Sequence, residues 1–209
     1  MAHQEQRTFF RSVGMLHPAH FEQAKVCEVG SLNINGTIRE HFANCEYVGV
    51  DIGFGPGVDL VAQGQEVSHS TGYFDTMVSA ECFEHNPFWV ETFANMLRMT
   101  RKGGMVAFSC ASTGRPEHGT TRSGAMFSPL TVGQGWDYYR NLDDQDFATT
   151  FNLAGWFDSC QFFYGPRSFD LYFCGFLKGA PSSIRFEQLR DMLANQIGAV
   201  PLAGFSQPS

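Results

Sequence analysis

The chain has 209 residues, of which 43% are hydrophobic and 17% are charged. This composition is typical of a globular domain with a buried core and excludes an intrinsically disordered chain. The formal net charge at pH 7 is −7, from 14 basic and 21 acidic residues. Because duplex nucleic acids are bound largely through lysines and arginines that neutralise phosphates, we expect no duplex nucleic-acid partner.

The sequence indicates neither membrane insertion nor export. No apolar run approaches the roughly 20 residues that span a bilayer, and the start of the chain lacks the apolar centre of a signal peptide. The six cysteines form no Cys-x-x-Cys pair, which argues against a zinc knuckle or a dithiol redox motif. We therefore expect a cytoplasmic protein without a membrane partner, and we leave the oligomeric state open.

The first half of the chain alternates short apolar runs with helical stretches. After a helical or irregular segment over 1–23, the expected strands are 25–30, 47–51, 58–62, 74–79 and 105–111. Helices are expected over 35–42 and after 85, and Lys102-Gly103-Gly104 is expected to end the second helix as a glycine cap. This alternation predicts βαβ units and a mostly parallel sheet.

The second half begins with residues 113–140, a stretch too long for an ordinary connection. The elements expected after it are a helix over 143–154, an antiparallel hairpin of 156–164 and 169–177, and a helix over 183–196. The last ten residues are expected to be loose. With no internal repeat, the sequence predicts a single domain over 1–209 with a core at 24–178 and a helical tail at 180–209.

Two acidic residues stand at strand ends where nucleotides bind in α/β folds. Glu28 and Gly30 follow the first strand, and Asp51 ends the second. Ligands of open α/β sheets bind beyond the carboxyl ends of the strands, and an acid at the second strand can accept ribose hydroxyls. The alternative is that both acids only favour neighbouring helix N-termini. A nicotinamide cofactor would need Gly-x-Gly-x-x-Gly, which Gly30, Leu32 and Asn35 do not provide.

Several segments, taken in order, resemble the class I S-adenosylmethionine-dependent methyltransferases over roughly residues 24–178. The matching segments are Glu28-x-Gly30, Asp51, Gln63-Gly64, Phe74-Asp75, Ser79-Ala80-Glu81-Cys82-Phe83-Glu84-His85, Lys102-Gly103-Gly104 and the terminal hairpin. The likeness is to the type 11, small-molecule branch. The sequence departs from the family where Leu32 and Ile34 replace glycines and where Gln63 replaces the commoner aspartate.

The resemblance implies an α/β, Rossmann-like class I methyltransferase fold with a seven-stranded, mostly parallel sheet and an antiparallel last strand. It also implies S-adenosyl-L-methionine as the cofactor, with Glu28 and Gly30 on the methionine side, Asp51 on the ribose, and Gln63 and Gly64 at the adenine edge. The expected cofactor-binding residues are Glu28, Gly30, Ser31, Asn33, Asp51, Ile52, Gln63, Gly64 and Ser79.

The acceptor is expected to bind after strands four and five. Glu81, Glu84 and His85 are spaced to share one face of a helix. His85 and His118 are the candidates for acid–base catalysis, although Glu84 and His85 can equally hold the helix start and shape the pocket. The pattern also resembles the divalent-metal site of the small-RNA 2′-O-methyltransferases. Because the same motif occurs in the family without a metal, we expect none here.

Residues 113–140 are predicted to close over the acceptor and to contribute little to cofactor binding. The stretch carries aromatic and basic side chains suited to a compact polar or anionic acceptor, namely Arg115, His118, Arg122, Trp136, Tyr138, Tyr139 and Arg140. The alternative is a loose insertion anchored by its aromatic residues.

The predicted function is methyl transfer to an O or N atom of a small molecule. An RNA or protein methyltransferase with a metal site, or a non-catalytic cofactor-binding domain, remains open because a fold does not establish turnover.

Overall fold

A mixed eight-stranded sheet runs through the protein, seen in a computed structural model that describes residues 3–180 and 185–206. The strands are β1 (Lys25–Val29), β2 (Glu46–Asp51), β3 (Leu60–Val61), β4 (Phe74–Ala80), β5 (Thr100–Ala111), β6 (Phe157–Gly165), β7 (Asp170–Leu177) and β8 (Val200–Ser206). Their order is β3-β2-β1-β4-β5-β7-β6-β8. The first five are parallel, whereas β7 is antiparallel to β5 and β6. The predicted α/β fold, with a mostly parallel sheet and a reversed seventh strand, is confirmed.

Helices cover both faces of this sheet. They are α1 (Gln4–Leu16), α2 (Trp89–Met99), α3 (Pro129–Gly133), α4 (Asp144–Thr150), α5 (Leu153–Trp156) and α6 (Phe186–Ile197). Phe93 of α2 packs in one buried cluster with Cys27 of β1, while Phe9 of α1 and Leu189 of α6 pack in another with Val26. Successive residues of β1 therefore enter opposite cores, which explains the continuous apolar runs of the inner strands. Each fully buried phenylalanine stabilises the fold by about 1.5–3 kcal/mol.

The last ten residues, which the sequence predicts to be loose, contain a strand. Residues Val200–Ser206 form β8, which pairs antiparallel with β6, so the sheet has one strand more than expected. The side chain of Gln161 donates a 2.7 Å hydrogen bond to the backbone oxygen of Leu202 and ties the two strands together. The predicted tail helix is confirmed as α6, although positions 183 and 184 of that prediction lie outside the described residues.

Three helix predictions in the first 160 residues need correction. The stretch 35–42 contains only a 3₁₀ turn over Arg39–His41, and the helix expected over 143–154 is divided into α4 and α5, with Asn152 capping the second. The glycines at 103 and 104 do not cap α2, which ends at Met99. They lie instead in a bulge of β5, where Gly103 has φ +68°. A Cβ there would approach the Gly179 backbone oxygen to 2.7 Å, so glycine is required.

Among the described residues, no helix is both long and apolar enough to cross a membrane.

Candidate functional site

A cleft opens at the carboxyl ends of β1, β2 and β4, with about 620 Å³ of empty space including its open mouth. Four of the predicted cofactor-binding residues line it: Gly30, Asp51, Ile52 and Gly64. His85, predicted for the acceptor side, lines the same cleft. Parallel strands end together at one edge of the sheet, so residues distant in sequence meet there.

The turn after β1 is shaped by close packing against the segment after β4. Gly30 has φ +82°, and a Cβ at this position would lie 2.5 Å from the Cβ of Cys82. The backbone N–H groups of Gly30 and Ser31 both donate to the Val50 oxygen, at 2.9 and 3.1 Å. Only glycine combines this dihedral angle with this approach, so the turn is held tightly against β2 and against Cys82.

Asp51 is fixed by two backbone hydrogen bonds. One carboxylate oxygen accepts from the Leu32 N–H at 2.9 Å and the other accepts from the Ile52 N–H at 2.8 Å. Burial raises the pKa of Asp51, and the two hydrogen bonds act in the opposite direction. Each carboxylate oxygen can accept a second hydrogen bond. The side chain is therefore oriented at the cleft with acceptor capacity to spare.

Five predicted cofactor residues are absent from the cleft lining, and three of them make hydrogen bonds within the protein. Glu28 is 4% exposed and accepts a 2.7 Å hydrogen bond from the Tyr47 hydroxyl, and burial raises its pKa to about 7. The other four are Ser31, Asn33, Gln63 and Ser79. Asn33 accepts from the Gly36 N–H at 2.9 Å, and the Ser79 hydroxyl donates to the Val29 oxygen at 2.8 Å. Their cofactor contacts stay predictions.

The segment after β4 does not form the helix that would place its acids on one face. Glu81 has φ +52°, and Phe83–His85 make a single 3₁₀ turn. Glu84 is fully buried, and its carboxylate oxygens make no hydrogen bond of ordinary geometry with the described residues, although the backbone of Glu84 and of Ala111 acts to lower its pKa. Burial and the neighbouring Glu81 raise the pKa of Glu84 well above its usual range. A carboxyl group in this position must be protonated or must meet a cation.

Two imidazoles lie beside Glu84. The rings of His85 and His118 have centroids 5.0 Å apart, and burial lowers the pKa of His85 to about 3. His118 Nδ1 lies 3.1 Å from the Pro116 oxygen, which favours a tautomer with the lone pair on Nε2. One potential ligand atom from each of Glu84, His85 and His118 lies within 4.8 Å of the others, so the donor set and its spacing fit a divalent cation.

A buried ionic network, which the sequence did not predict, adjoins this cluster. Arg115 reaches Asp170 at 3.1 Å and Glu81 at 3.6 Å, and His3 forms an ion pair with Asp170 at 2.9 Å. Burial lowers the pKa of His3, but the hydrogen bond and charge of Asp170 outweigh it and raise the pKa overall. His3 and Asp170 are 167 positions apart in the chain, so no local pattern could have joined them.

The stretch 113–140, called the lid below, lines the cleft with Phe127, Ser128, Pro129, Leu130, Thr131 and Trp136. Leu130 approaches the loop after β2 so closely that a Cβ on Gly53 would lie 2.7 Å from it. The lid is held internally by Asp137, which accepts from the Thr121 N–H at 2.8 Å. Lid residues and residues of the Gly30 turn face one cleft. The expectation that the lid contributes little to cofactor binding stays a prediction.

The lid arginines, expected to suit a polar or anionic acceptor, form ion pairs within the protein. Arg115 is paired as described above. Arg122 pairs with Glu117 at 2.9 Å and with Asp137 at 3.0 Å, and Arg140 pairs with Asp146. Each guanidinium therefore already has a carboxylate partner. None of the described residues that line the cleft is a lysine or an arginine.

Comparison with known proteins identifies the fold. No protein-family model and no curated sequence matches the chain. A solved 1,6-didemethyltoxoflavin N1-methyltransferase of Burkholderia thailandensis superposes with a TM-score of 0.55 at 16% identity, over 84% of this chain and 80% of the other. A phosphoethanolamine N-methyltransferase of Haemonchus contortus gives 0.57 at 14%, over 81% of this chain and 52% of that one. A SAM-dependent methyltransferase of Thermotoga maritima gives 0.50 at 12%, over 82% and 88%. The chain thus has the class I methyltransferase fold and spans about half of the Haemonchus protein.

Proposed function

We propose that the protein is an S-adenosylmethionine-dependent methyltransferase that acts on an O or N atom of a small-molecule acceptor. The observation that carries the proposal is Asp51, a carboxylate fixed by two backbone amides at the end of β2 and facing the cleft. The fold supports it, and so do the Burkholderia and Haemonchus structures, which contain S-adenosylhomocysteine and S-adenosylmethionine. An acid at this strand end suits the ribose hydroxyls of an adenosine.

In this proposal different lining residues contact different parts of the cofactor. Asp51 accepts from the ribose, Ile52 and Gly64 border the adenine, and the Gly30 turn meets the methionine part. The side chains of Glu28, Asn33 and Ser79 hold the turn and strands in place through hydrogen bonds within the protein. S-adenosylmethionine supplies an electrophilic methyl carbon when bound, so the protein contributes mainly orientation and the exclusion of water.

His85 and His118 are proposed to receive or hold the acceptor's proton. Burial lowers the pKa values of both, so both imidazoles are neutral at pH 7 and can accept a hydrogen bond. A pKa of about 3 makes His85 a weak base by itself. Glu84, buried beside it, would stabilise the imidazolium that forms on proton uptake.

The first experiment is a calorimetric titration with S-adenosylmethionine, with NAD⁺ as the comparison ligand. We expect saturable one-site binding that S-adenosylhomocysteine competes away, and no heat from NAD⁺. Binding of NAD⁺, or no binding of S-adenosylmethionine by folded protein, would contradict the proposal. A mass spectrum of small molecules that co-purify with the protein would then narrow the acceptor.

A metal-dependent methyltransferase is the second candidate, favoured by the unpartnered Glu84 carboxylate beside His85 and His118. If these three bind a divalent ion, Mn²⁺ should bind at a 1:1 ratio and His118→Ala should reduce that affinity at least tenfold. His69→Ala, which changes a histidine outside the cleft, is the control. Full transferase activity after EDTA treatment, together with no Mn²⁺ binding, would leave the three residues as an acid–base and packing group.

The net charge of −7 and the paired lid arginines argue against RNA as the acceptor.

A further inference from the structure

We propose that Glu81 selects the acceptor, and that the acceptor presents an N–H donor, as an amine or ammonium group on a compact apolar body, rather than an anionic group. This inference rests on the proposed function, because it names the class of molecule that the cleft receives. It narrows the compact polar or anionic acceptor that the lid side chains suggested to a polar one with an N–H donor.

Glu81 offers an unused acceptor atom at the cleft. Its side chain is only 3% exposed, it is one of the cleft-lining residues, and its Oε1 atom has no hydrogen-bond partner within the described chain. The other oxygen, Oε2, lies 3.6 Å from the Arg115 guanidinium and 3.8 Å from His118 Nε2, both beyond ordinary hydrogen-bond length. A buried carboxylate oxygen without a donor is costly, and a ligand N–H group would supply one.

Glu81 is compensated less closely than the neighbouring Asp170. Arg115 serves both carboxylates, and it lies closer to Asp170 than to Glu81. Asp170 also accepts a 3.0 Å hydrogen bond from the Tyr172 hydroxyl and is paired with His3. Glu81 has no such additional partner for Oε1 among the described residues. A donor group on the acceptor would supply the hydrogen bond that this atom lacks.

An anionic acceptor would find no free cation at this cleft. The ionisable groups in its described lining are Asp51, Glu81, Cys82 and His85, with no lysine or arginine among them. A phosphate or carboxylate would stand near Glu81 without a compensating charge, at a cost that grows in a partly buried site. The structure therefore favours neutral or positively charged acceptors over negatively charged ones.

The walls of the cleft suit an apolar body. Phe127, Leu130 and Trp136 of the lid line it on one side and Ile34 on another. Phe127 and Ile34 are 42% and 38% exposed, so apolar surface stands open to a ligand. Aromatic and aliphatic walls around one or two fixed polar groups are the usual composition of a small-molecule site. The acceptor class that fits both features is a compact aromatic or aliphatic amine.

The experiment compares two probes with one aromatic body and opposite charge, 2-phenylethylamine and 3-phenylpropanoate, on protein saturated with S-adenosylhomocysteine. Affinities are measured by calorimetry for wild type, Glu81→Gln and Glu117→Gln. The last variant removes an exposed lid carboxylate that does not line the cleft. We expect wild type and Glu117→Gln to bind the amine at least tenfold more tightly than the carboxylate. Glu81→Gln should lose that preference while its S-adenosylhomocysteine affinity is unchanged.

The wild-type comparison needs no variant, so the test stands even if Glu81→Gln folds poorly. Equal or tighter binding of the carboxylate, or no binding of either probe, would overturn the inference. A parallel loss of S-adenosylhomocysteine and amine affinity in Glu81→Gln would also overturn it, because Glu81 would then hold the cofactor's own ammonium group. Failure of wild type to bind S-adenosylhomocysteine would refute the proposed function, and this inference with it. Cofactor binding without amine preference would refute this inference alone.

Discussion

At the scale of single residues, the cleft and the buried segment after β4 hold carboxyl groups whose charged forms are opposed by burial. Asp51 is compensated by two backbone N–H groups, whereas the carboxylate oxygens of Glu84 make no hydrogen bond of ordinary geometry with the described residues. The carboxyl groups of Asp51 and Glu84 therefore differ in what they can bind. A compensated carboxylate can accept from neutral hydroxyls, and an uncompensated one must meet a proton or a cation.

Replacement of Asp51 by alanine tests the cofactor site most directly. We expect Asp51→Ala to weaken S-adenosylmethionine binding by about 1.5–3 kcal/mol, roughly 10- to 150-fold, because it removes hydrogen bonds to a charged group. Calorimetry measures the change, and Asp191→Ala, the same substitution at an exposed position of α6, is the control. Wild-type affinity in Asp51→Ala would remove this residue from the site.

At the scale of elements, the lid and the β5 bulge show how a segment can differ from its local sequence signal. The sequence predicts that the lid closes over the acceptor, and in the structure its Leu130 packs against the loop after β2. Lys102-Gly103-Gly104 looked like a helix cap but is a bulge. In both cases the deciding contact comes from a residue more than 70 positions away, such as Gly179 beside Gly103.

The packing of Leu130 predicts that the lid contributes to cofactor affinity. Leu130→Ala should weaken S-adenosylmethionine binding about 3- to 10-fold, since removal of its methyl and methylene groups loses roughly 1 kcal/mol of apolar contact. Met126→Ala, which trims a lid side chain that is 71% exposed and does not line the cleft, should have no effect. Equal effects of the two substitutions in a calorimetric titration would contradict this assignment.

The bulge in β5 makes a prediction about stability. Gly103→Ala should destabilise the protein by about 1–3 kcal/mol, because alanine is strained at φ +68° and its Cβ would meet the Gly179 oxygen. Gly133→Ala is the matched control, since nothing lies within 4 Å of a Cβ built on Gly133 in α3. Urea denaturation compares the two variants. A stability loss in Gly133→Ala as large as in Gly103→Ala would show that the conformation at position 103 is not the cause.

At the scale of the whole molecule, a buried acid makes the free energy of unfolding depend on pH. Burial raises the pKa of Glu28 to about 7 against the hydrogen bond from Tyr47. The folded protein therefore holds a proton on Glu28 at pH values where the unfolded chain, with a pKa of about 4.3, has released it. Between those two values the folded state binds more protons, so the contribution of Glu28 to stability falls as pH rises.

This linkage can be measured as a difference between two proteins. The free energy of unfolding of wild type minus that of Glu28→Gln should decrease as pH rises from about 4.5 to about 7, and should level off above that range. Glutamine keeps an acceptor for the Tyr47 hydroxyl but cannot titrate. Urea denaturation at half-unit pH steps gives the difference, and a value independent of pH would mean that Glu28 keeps an ordinary pKa in the fold.

The sequence by itself determined the positions of β1 to β7 along the chain, the Gly30 turn, and the acid at the end of β2. These features depend on local signals, namely apolar runs, turn glycines and the distance from one strand end to the next. It also marked 113–140 as a segment with a task of its own, since ordinary connections are shorter. Those signals were sufficient for an α/β fold with a mostly parallel sheet and for four of the residues that line the cleft.

Only the tertiary structure decided how distant residues share charges. Arg115 joins Glu81 to Asp170, His3 comes from the other end of the chain, and β8 finds its partner in β6. No periodicity encodes such pairs, because each depends on which elements pack together and on how much water they exclude. Burial then sets whether a carboxylate is charged, paired or left open to a ligand. For that reason the proposed preference for an acceptor with an N–H donor depends on the ion pairs of the arginines and on the burial of Glu81, which the sequence did not give.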